Sequence, residues 1–234
     1  MAAVPAGWPA PLDAGERPLP HVKICGIARP DLAEAAVAAG AGMIGVVHFP
    51  PSPRHLALDA AADVARAAAG AFVVALTVDA DDATLDALVT TVRPDALQLH
   101  GKETPARVAA LAARYGLPVA KAIGVADARD LARIAAYEAL PVLDAKPPAG
   151  ADRPGGHGAS FDWSLLDGWP ADRPFMLSGG LTPETVAAAV RALAPYAVDV
   201  SSGVEVERVK DPARMAAFVA ASRSGGWGGE VGRE

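Results

Sequence analysis

"PFMLSGGLTPETVAAAVRALAPYAVDVSSG", residues 174–203, holds the unit that organises the whole chain. It opens on a short apolar run that ends in Ser178-Gly179-Gly180. An alanine-rich stretch, 182–193, follows; its Thr-Pro opening suits an N-cap and a first helical position. A second apolar run then ends in Ser201-Ser202-Gly203. Strands joined by a helix of this length pair in parallel, because a parallel crossover needs a dozen or more residues. Unbroken apolar runs, rather than alternating ones, are what strands buried on both faces look like.

The same unit recurs towards the N-terminus. Strands are expected over 21–26, 42–49, 71–79, 96–101, 118–125, 140–146, 174–180 and 197–203. Helices are expected over 29–40, 58–70, 81–94, 104–116, 127–138, 182–193 and 211–222, with a short one over 161–168 after a loop at 147–160. Gly40 and Gly70 stand where helices end, and Thr104-Pro105 repeats the Thr-Pro opening. Eight such units close naturally into a (β/α)₈ TIM barrel, an α/β fold. The rival, an open doubly wound sheet, normally carries a Gly-rich dinucleotide turn after its first strand, and "GIARPD" is not that fingerprint. The barrel is expected to span 21–222 as a single domain. Residues 1–20, rich in Ala and Pro, read as a flexible extension, and 223–234 as a mobile Gly-rich tail.

Composition narrows the function. The 234 residues are 52% hydrophobic but only 5% aromatic, so the core must be built from Ala, Val, Leu and Ile. Net charge is −6, with no basic patch, which argues against nucleic acid as a partner. No apolar run is long enough to span a membrane as a helix, and the N-terminus lacks the charged start and apolar block of a secretory signal. One cysteine forms no internal disulfide, so a reducing cytoplasm is the natural compartment. No His or Cys pair has metal-ligand spacing, and neither metal nor cofactor is expected.

Barrel chemistry gathers at the C-terminal ends of the strands. Those ends here carry Cys25, Arg54, Gln98, His100, Asp144, Lys146, the Ser178-Gly179-Gly180 turn and the Ser201-Ser202-Gly203 turn. The two glycine turns suit phosphate, because glycine lets backbone N–H groups approach an anion closely. Gly156 and Gly158, in "RPGGHG", stand ready to add donors from a third side. Cys25 is either a buried, inert thiol or a general base, since a modest environmental shift brings a thiol into a useful range. Asp144 suits a general acid if desolvated, or else a structural cap. Arg54 suits a carboxylate clamp. His100 reads as a hydrogen-bonded strand-end histidine. Lys23 reads as structural, facing away from the neighbours of Cys25. Lys146 offers an alternative, a Schiff base of the aldolase kind.

With those residues placed, the chain resembles the phosphoribosylanthranilate isomerase family. The resemblance rests on "VKICGI", "GVVHFPPSPRHL", "LQLHG", "PVLDAK", "GGHGASFDW", "LSGGLTPE" and "VDVSSGVE", spread in order from about 22 to 221. It implies a ribulose-phosphate-binding barrel that rearranges N-(5-phosphoribosyl)anthranilate to 1-(2-carboxyphenylamino)-1-deoxyribulose 5-phosphate in tryptophan biosynthesis. It also implies that Cys25 is the general base, Asp144 the general acid, Arg54 the anthranilate-carboxylate clamp, and the three glycine loops the phosphate site. The expected partner is a small phosphorylated aminosugar substrate, and the enzyme is expected as a monomer or homodimer. Two departures stand out: His48 replaces a more usual apolar aromatic, and "VEVERVKD" lacks the Pro-Gly that often follows "SSGVE".

Overall fold

A computed structural model of the chain describes residues 4–12, 19–146 and 160–224. Eight parallel strands close on themselves in sequence order: β1 (His21–Cys25), β2 (Met43–Val47), β3 (Phe72–Thr77), β4 (Ala96–Leu99), β5 (Val119–Val125), β6 (Leu140–Ala145), β7 (Met176–Leu177) and β8 (Ala197–Val200). Closure is made by β1 against β8, with Lys23 opposite Asp199 and Ile24 opposite Val200. On its other side β1 sets Cys25 opposite Gly45 of β2. Closing the sheet removes its edges, so every strand finds hydrogen-bonding neighbours on both sides.

The helices α1 (Pro30–Ala38), α2 (Leu58–Ala67), α3 (Asp82–Val92), α4 (Pro105–Tyr115), α5 (Ala128–Ala132), α6 (Val186–Leu193) and α7 (Pro212–Ser224) form the outer ring. Their starts follow from side chains that satisfy first-turn N–H groups. Asp81 accepts from Thr84 N, Thr104 from Arg107 N, and Asp127 from Arg129 N and Asp130 N. The 127–138 stretch is only partly α-helical, α5 giving way to a 3₁₀ turn over Arg133–Ala136. The second Thr-Pro opening also differs. Thr182 folds back through hydrogen bonds to Glu184 N and Thr185, and α6 begins only at Val186. The short helix expected over 161–168 is a 3₁₀ turn, Trp163–Leu166.

Two apolar layers sit on either side of the strands. The outer layer packs Val22, Ile24, Ile44, Leu97, Leu143 and Val198 against helix residues such as Leu88, Leu111 and Phe218. The inner layer fills the N-terminal half of the barrel with Met43, Val74, Ala96, Leu140, Val142, Met176 and Ala197. Small and large side chains share that space, as a packed barrel interior requires.

Residues 4–12 correct the expectation of a flexible extension. Trp8 is 7% exposed and joins the inner apolar layer, its ring 5.3 Å from that of Phe72. Tyr196 Oη donates to Pro9 O at 2.8 Å, and His21 Nε2 lies 2.8 Å from Ala10 O. Gly7 adopts φ +88°, and a Cβ there would press on the Pro118 ring at 3.2 Å. The segment is a floor under the barrel, held at the N-terminal ends of the closing strands β1 and β8. Residues 13–18 of the extension and 225–234 of the tail lie outside the described residues, while Arg223 and Ser224 complete α7.

The segment "VEVERVKD" holds an element that the strand pattern had not announced. Residues Glu205–Val206 (β9) and Val209–Lys210 (β10) pair as an antiparallel hairpin. Its turn residues Glu207 and Arg208 take φ of +51° and +66°, the left-handed geometry of a tight two-residue hairpin turn. No described helix is long and apolar enough to cross a membrane.

Candidate active site

The strand ends converge on a cavity of about 760 Å³, its open mouth included. Nine of the candidates line it: Cys25, Arg54, Asp144, Ser178, Gly179, Gly180, Ser201, Ser202 and Gly203. Gln98, His100 and Asp199 line it as well. Gly156 and Gly158 lie outside the described residues. Lys146 does not line the cavity. Its side chain is 52% exposed and its Nζ is 3.2 Å from both carboxylate oxygens of Asp130, which removes the basis for a Schiff base there. His48 also turns away, its Nδ1 2.8 Å from Leu56 O.

Cys25 is the last residue of β1 and is 5% exposed. Gly26 follows it at φ +75°, and a Cβ there would sit 2.4 Å from Arg54 Cδ, so glycine lets the arginine lie across the strand end. Burial pushes the Cys25 thiol above its ordinary pKa, and the charge of Asp199 pushes the same way. Lys23 opposes both, chiefly through its charge. Lys23 therefore faces the barrel interior with Cys25, not away from it. Residues two apart on a strand share a face, and these two are two apart.

Asp144, on β6, is 7% exposed. Its Oδ1 accepts from Ala145 N at 2.8 Å, and its Oδ2 lies 3.4 Å from His100 Nε2. The other ring nitrogen of His100 is 3.4 Å from Gln98 Nε2. Gln98 Oε1 is buried and has no partner among the described residues. His100 is thus more than a strand-end histidine: it stands over the carboxylate. Gly179 holds the other side, because a Cβ on it would be 3.0 Å from Asp144 Oδ1 and 2.7 Å from Ala145 N.

The turns after β7 and β8 meet one another. A Cβ at Gly203 would fall 1.9 Å from Leu181 O, so only glycine permits this approach. Gly179 and Gly180 both take positive φ. Among the described residues, the N–H groups of Gly179, Gly180, Ser202 and Gly203 donate to no backbone carbonyl outside regular elements. Two of the three serine hydroxyls are committed elsewhere. Ser178 Oγ donates to Asp199 Oδ2 at 3.2 Å, and Ser201 Oγ to Cys25 O at 3.0 Å. Backbone amides, more than these hydroxyls, are what the two turns present to an anion.

Arg54 lines the cavity, but its fork is already engaged. Nε and Nη2 donate to Glu205 Oε1 and Oε2 at 2.7 and 2.8 Å. The Glu205 hydrogen bonds hold the guanidinium above its ordinary pKa, although burial acts against it. Nη1 has no partner among the described residues. Glu205 also pairs with Lys210, so the β9–β10 hairpin fixes Arg54 from outside. The sequence marks neither Asp199 nor Glu205 as a site residue, and Lys23 only as a structural one. The two-residue period of β1 and β8 was the available signal for Lys23 and Asp199; Glu205 had none, because it depends on the hairpin.

The comparisons with known proteins point to one family. A sequence model of the N-(5'-phosphoribosyl)anthranilate (PRA) isomerase family matches residues 22–221. The N-(5'-phosphoribosyl)anthranilate isomerase of Cereibacter sphaeroides is 56% identical over 210 residues, covering 87% of this chain and 98% of that one. That of Rhodopseudomonas palustris is 54% identical over 208 residues, covering 87% and 95%. Among solved structures, the phosphoribosyl anthranilate isomerase of Thermotoga maritima superposes with a TM-score of 0.79 at 35% identity, covering 87% of this chain and 98% of that one. A phosphoribosyl anthranilate isomerase in complex with reduced 1-(o-carboxyphenylamino)-1-deoxyribulose 5-phosphate superposes at 0.76 with 32% identity, over 87% and 98%.

Proposed function

The chain belongs to the N-(5'-phosphoribosyl)anthranilate isomerase family, and we propose that Cys25 is the general base and Asp144 the general acid of its reaction. The enzyme is an isomerase of tryptophan biosynthesis, and its reaction is the Amadori rearrangement of N-(5-phosphoribosyl)anthranilate. The chemistry asks for one acid and one base. Protonation of the ribose ring oxygen lets the C1–O bond break, with the electrons of the anilino nitrogen forming an iminium at C1. That cation acidifies the C2 proton. Removal of the proton puts its electron pair into a C1=C2 bond, and the resulting enolamine tautomerises to the ketone. Atoms balance within the substrate, so no net oxidant or reductant enters.

One observation carries this reading: a thiol and a carboxyl group, each almost buried, face one cavity whose rim is made by the two glycine turns. Phosphate at those turns supplies binding energy remote from the reacting carbons and sets C1 and C2 between the two groups. Arg54, held rigid by Glu205, presents Nη1 for the anthranilate carboxylate. A rigid guanidinium loses less side-chain entropy on binding than a free one. The thiol must stay reduced for the mechanism to run, which supports a reducing, cytoplasmic setting.

The test is turnover of substrate made in place from anthranilate and phosphoribosyl pyrophosphate by the transferase, followed as loss of fluorescence. Cys25→Ala and Asp144→Asn are expected to fold and to lose about 10²–10⁴-fold in kcat, the usual worth of a positioned acid or base. A near-normal rate in either variant removes that residue from its role.

A further inference from the structure

We propose that Lys23 is a positioning residue for the reaction: its ammonium, anchored by Asp199 beneath Cys25, holds the thiolate form of Cys25 inside the barrel. The inference rests on the reading of Cys25 as the base. Lys23 is completely buried, and its Nζ donates to Asp199 Oδ1 at 2.9 Å. The other oxygen of Asp199 accepts from Ser178 Oγ. Both carboxylate oxygens are therefore spoken for, and the lysine is fixed in place from the opposite side of the closing strand pair. Gly45, the strand partner of Cys25, shows where the ammonium points. A Cβ at Gly45 would lie 2.9 Å from Cys25 Sγ and 3.1 Å from Lys23 Nζ. Sulfur and nitrogen thus flank one small space that exists because residue 45 has no side chain.

The cost of this arrangement is informative. Replacing a buried ion pair by apolar residues of similar size is often neutral or stabilising. The same barrel does fill its lower half with Met43, Leu140 and Met176. A purely structural layer above them has no need of a charged lysine. A lysine that must hold an anionic base ready before the C2 proton is removed does.

Other charges face the sulfur too. Asp199 lies on β8, Lys210 on β10, and Arg54 on the segment after β2; His100, just after β4, and Asp144 of β6 share the cavity. Arg54 and Lys210 are both paired with Glu205. Of the cations around the sulfur, Lys23 acts on it most strongly, and without it burial and Asp199 both disfavour the thiolate.

Cys25 is the sole cysteine, so the mass gained on iodoacetamide treatment reports this thiol alone. The experiment measures alkylation rate against pH, and kcat and KM, for the full chain and for Lys23→Met, Lys23→Arg and the double variant Lys23→Met/Asp199→Asn. The double variant removes the pair together and strands no charge, so it remains informative if Lys23→Met does not fold. The alkylation midpoint is expected to rise by about one pH unit or more in Lys23→Met, a tenfold loss of thiolate near neutral pH, and by less in the double variant, where losing the Asp199 charge offsets part of the loss of Lys23. The kcat deficit should shrink as pH rises, with KM little changed. Lys23→Arg, which keeps the charge, should sit nearer the parent. An unmoved midpoint in the folded double variant overturns the proposal while leaving Cys25→Ala free to establish the base. Full turnover in Cys25→Ala overturns both readings.

Discussion

The two ends of the barrel interior are built from opposite materials. The lower half is closed by Trp8 and filled with Met43, Val74, Leu140, Val142 and Met176. The upper half holds Lys23, Asp199, Ser178, Gln98, His100 and Asp144, nearly all of them buried and polar. Only a few ångströms of strand separate the two. Below, the side chains gain free energy from leaving water. Above, they lose solvation and regain it through each other, and the regained part is tuned to a reaction. Stability is therefore expected to reside below, and rate above.

The sharpest way to break this division is to substitute at the top and measure stability. Asp144→Asn should lose about 10³-fold in kcat, within the range for general acid catalysis, while thermal unfolding stays close to that of the parent. A large drop in melting temperature would show that the upper layer also carries the fold. Trp8→Ala is the mirror experiment. Truncating a buried Trp costs about 3–5 kcal/mol, and in a domain of this size each kcal/mol shifts the melting temperature by about 2–4 °C. The rate of the folded fraction should be unchanged. Deleting 1–18 should do the same, contrary to what a flexible extension implies.

Acid sensitivity refines the comparison. Glu103 lies behind the sheet, where its carboxylate accepts from Lys121 Nζ at 2.8 Å and from Asp79 N and Gly101 N. Burial alone would raise its pKa, but Lys121 and those N–H groups outweigh burial and hold it below the ordinary value of 4.5. A depressed carboxylate stabilises the fold above its unfolded pKa, and that stability is lost as pH falls through the folded value. Unfolding measured from pH 6 downward should therefore show stability declining below about 4.5. A flat profile would show that the Glu103 pair contributes nothing. The smallest effect is expected at Ala194, an exposed residue that ends α6 at φ +43°. Ala194→Gly relieves a left-handed alanine and should add a few tenths to about 1 kcal/mol, read as a raised midpoint in urea.

The barrel itself was legible because its strands are buried on both faces and its helices are punctuated by Gly, Pro, Thr and Asp. Seven helical stretches separated by apolar runs admit few other solutions. The site was legible where a strand end bears a reactive side chain, as at Cys25 and Asp144. What stayed hidden has physical reasons. Trp8 sits in a Pro-rich stretch with no periodicity, and its burial depends on a floor assembled from β2 to β8. The β9–β10 hairpin turns on Glu207 and Arg208, residues without the Gly or Asn that usually announces a left-handed turn. Lys23 reads as structural because its partner Asp199 lies on the last strand, 176 residues away, where no local pattern announces it. Arg54 was recognised as a cavity residue, yet its partner lies 151 residues away, beyond any local pattern.

The closure of β1 on β8 has a consequence for how the chain is made. Lys23 and Asp199 are 176 residues apart, and the floor under the barrel leans on Tyr196. During synthesis the first strand emerges long before its partner, and the Trp8 ring emerges before any wall it can lean on. Seven-eighths of a barrel is an open sheet with two raw edges, the kind of surface that chaperones hold. The nascent chain is expected to wait in that state until β8 has left the ribosome, so that the catalytic layer and the floor come into being in a single late event.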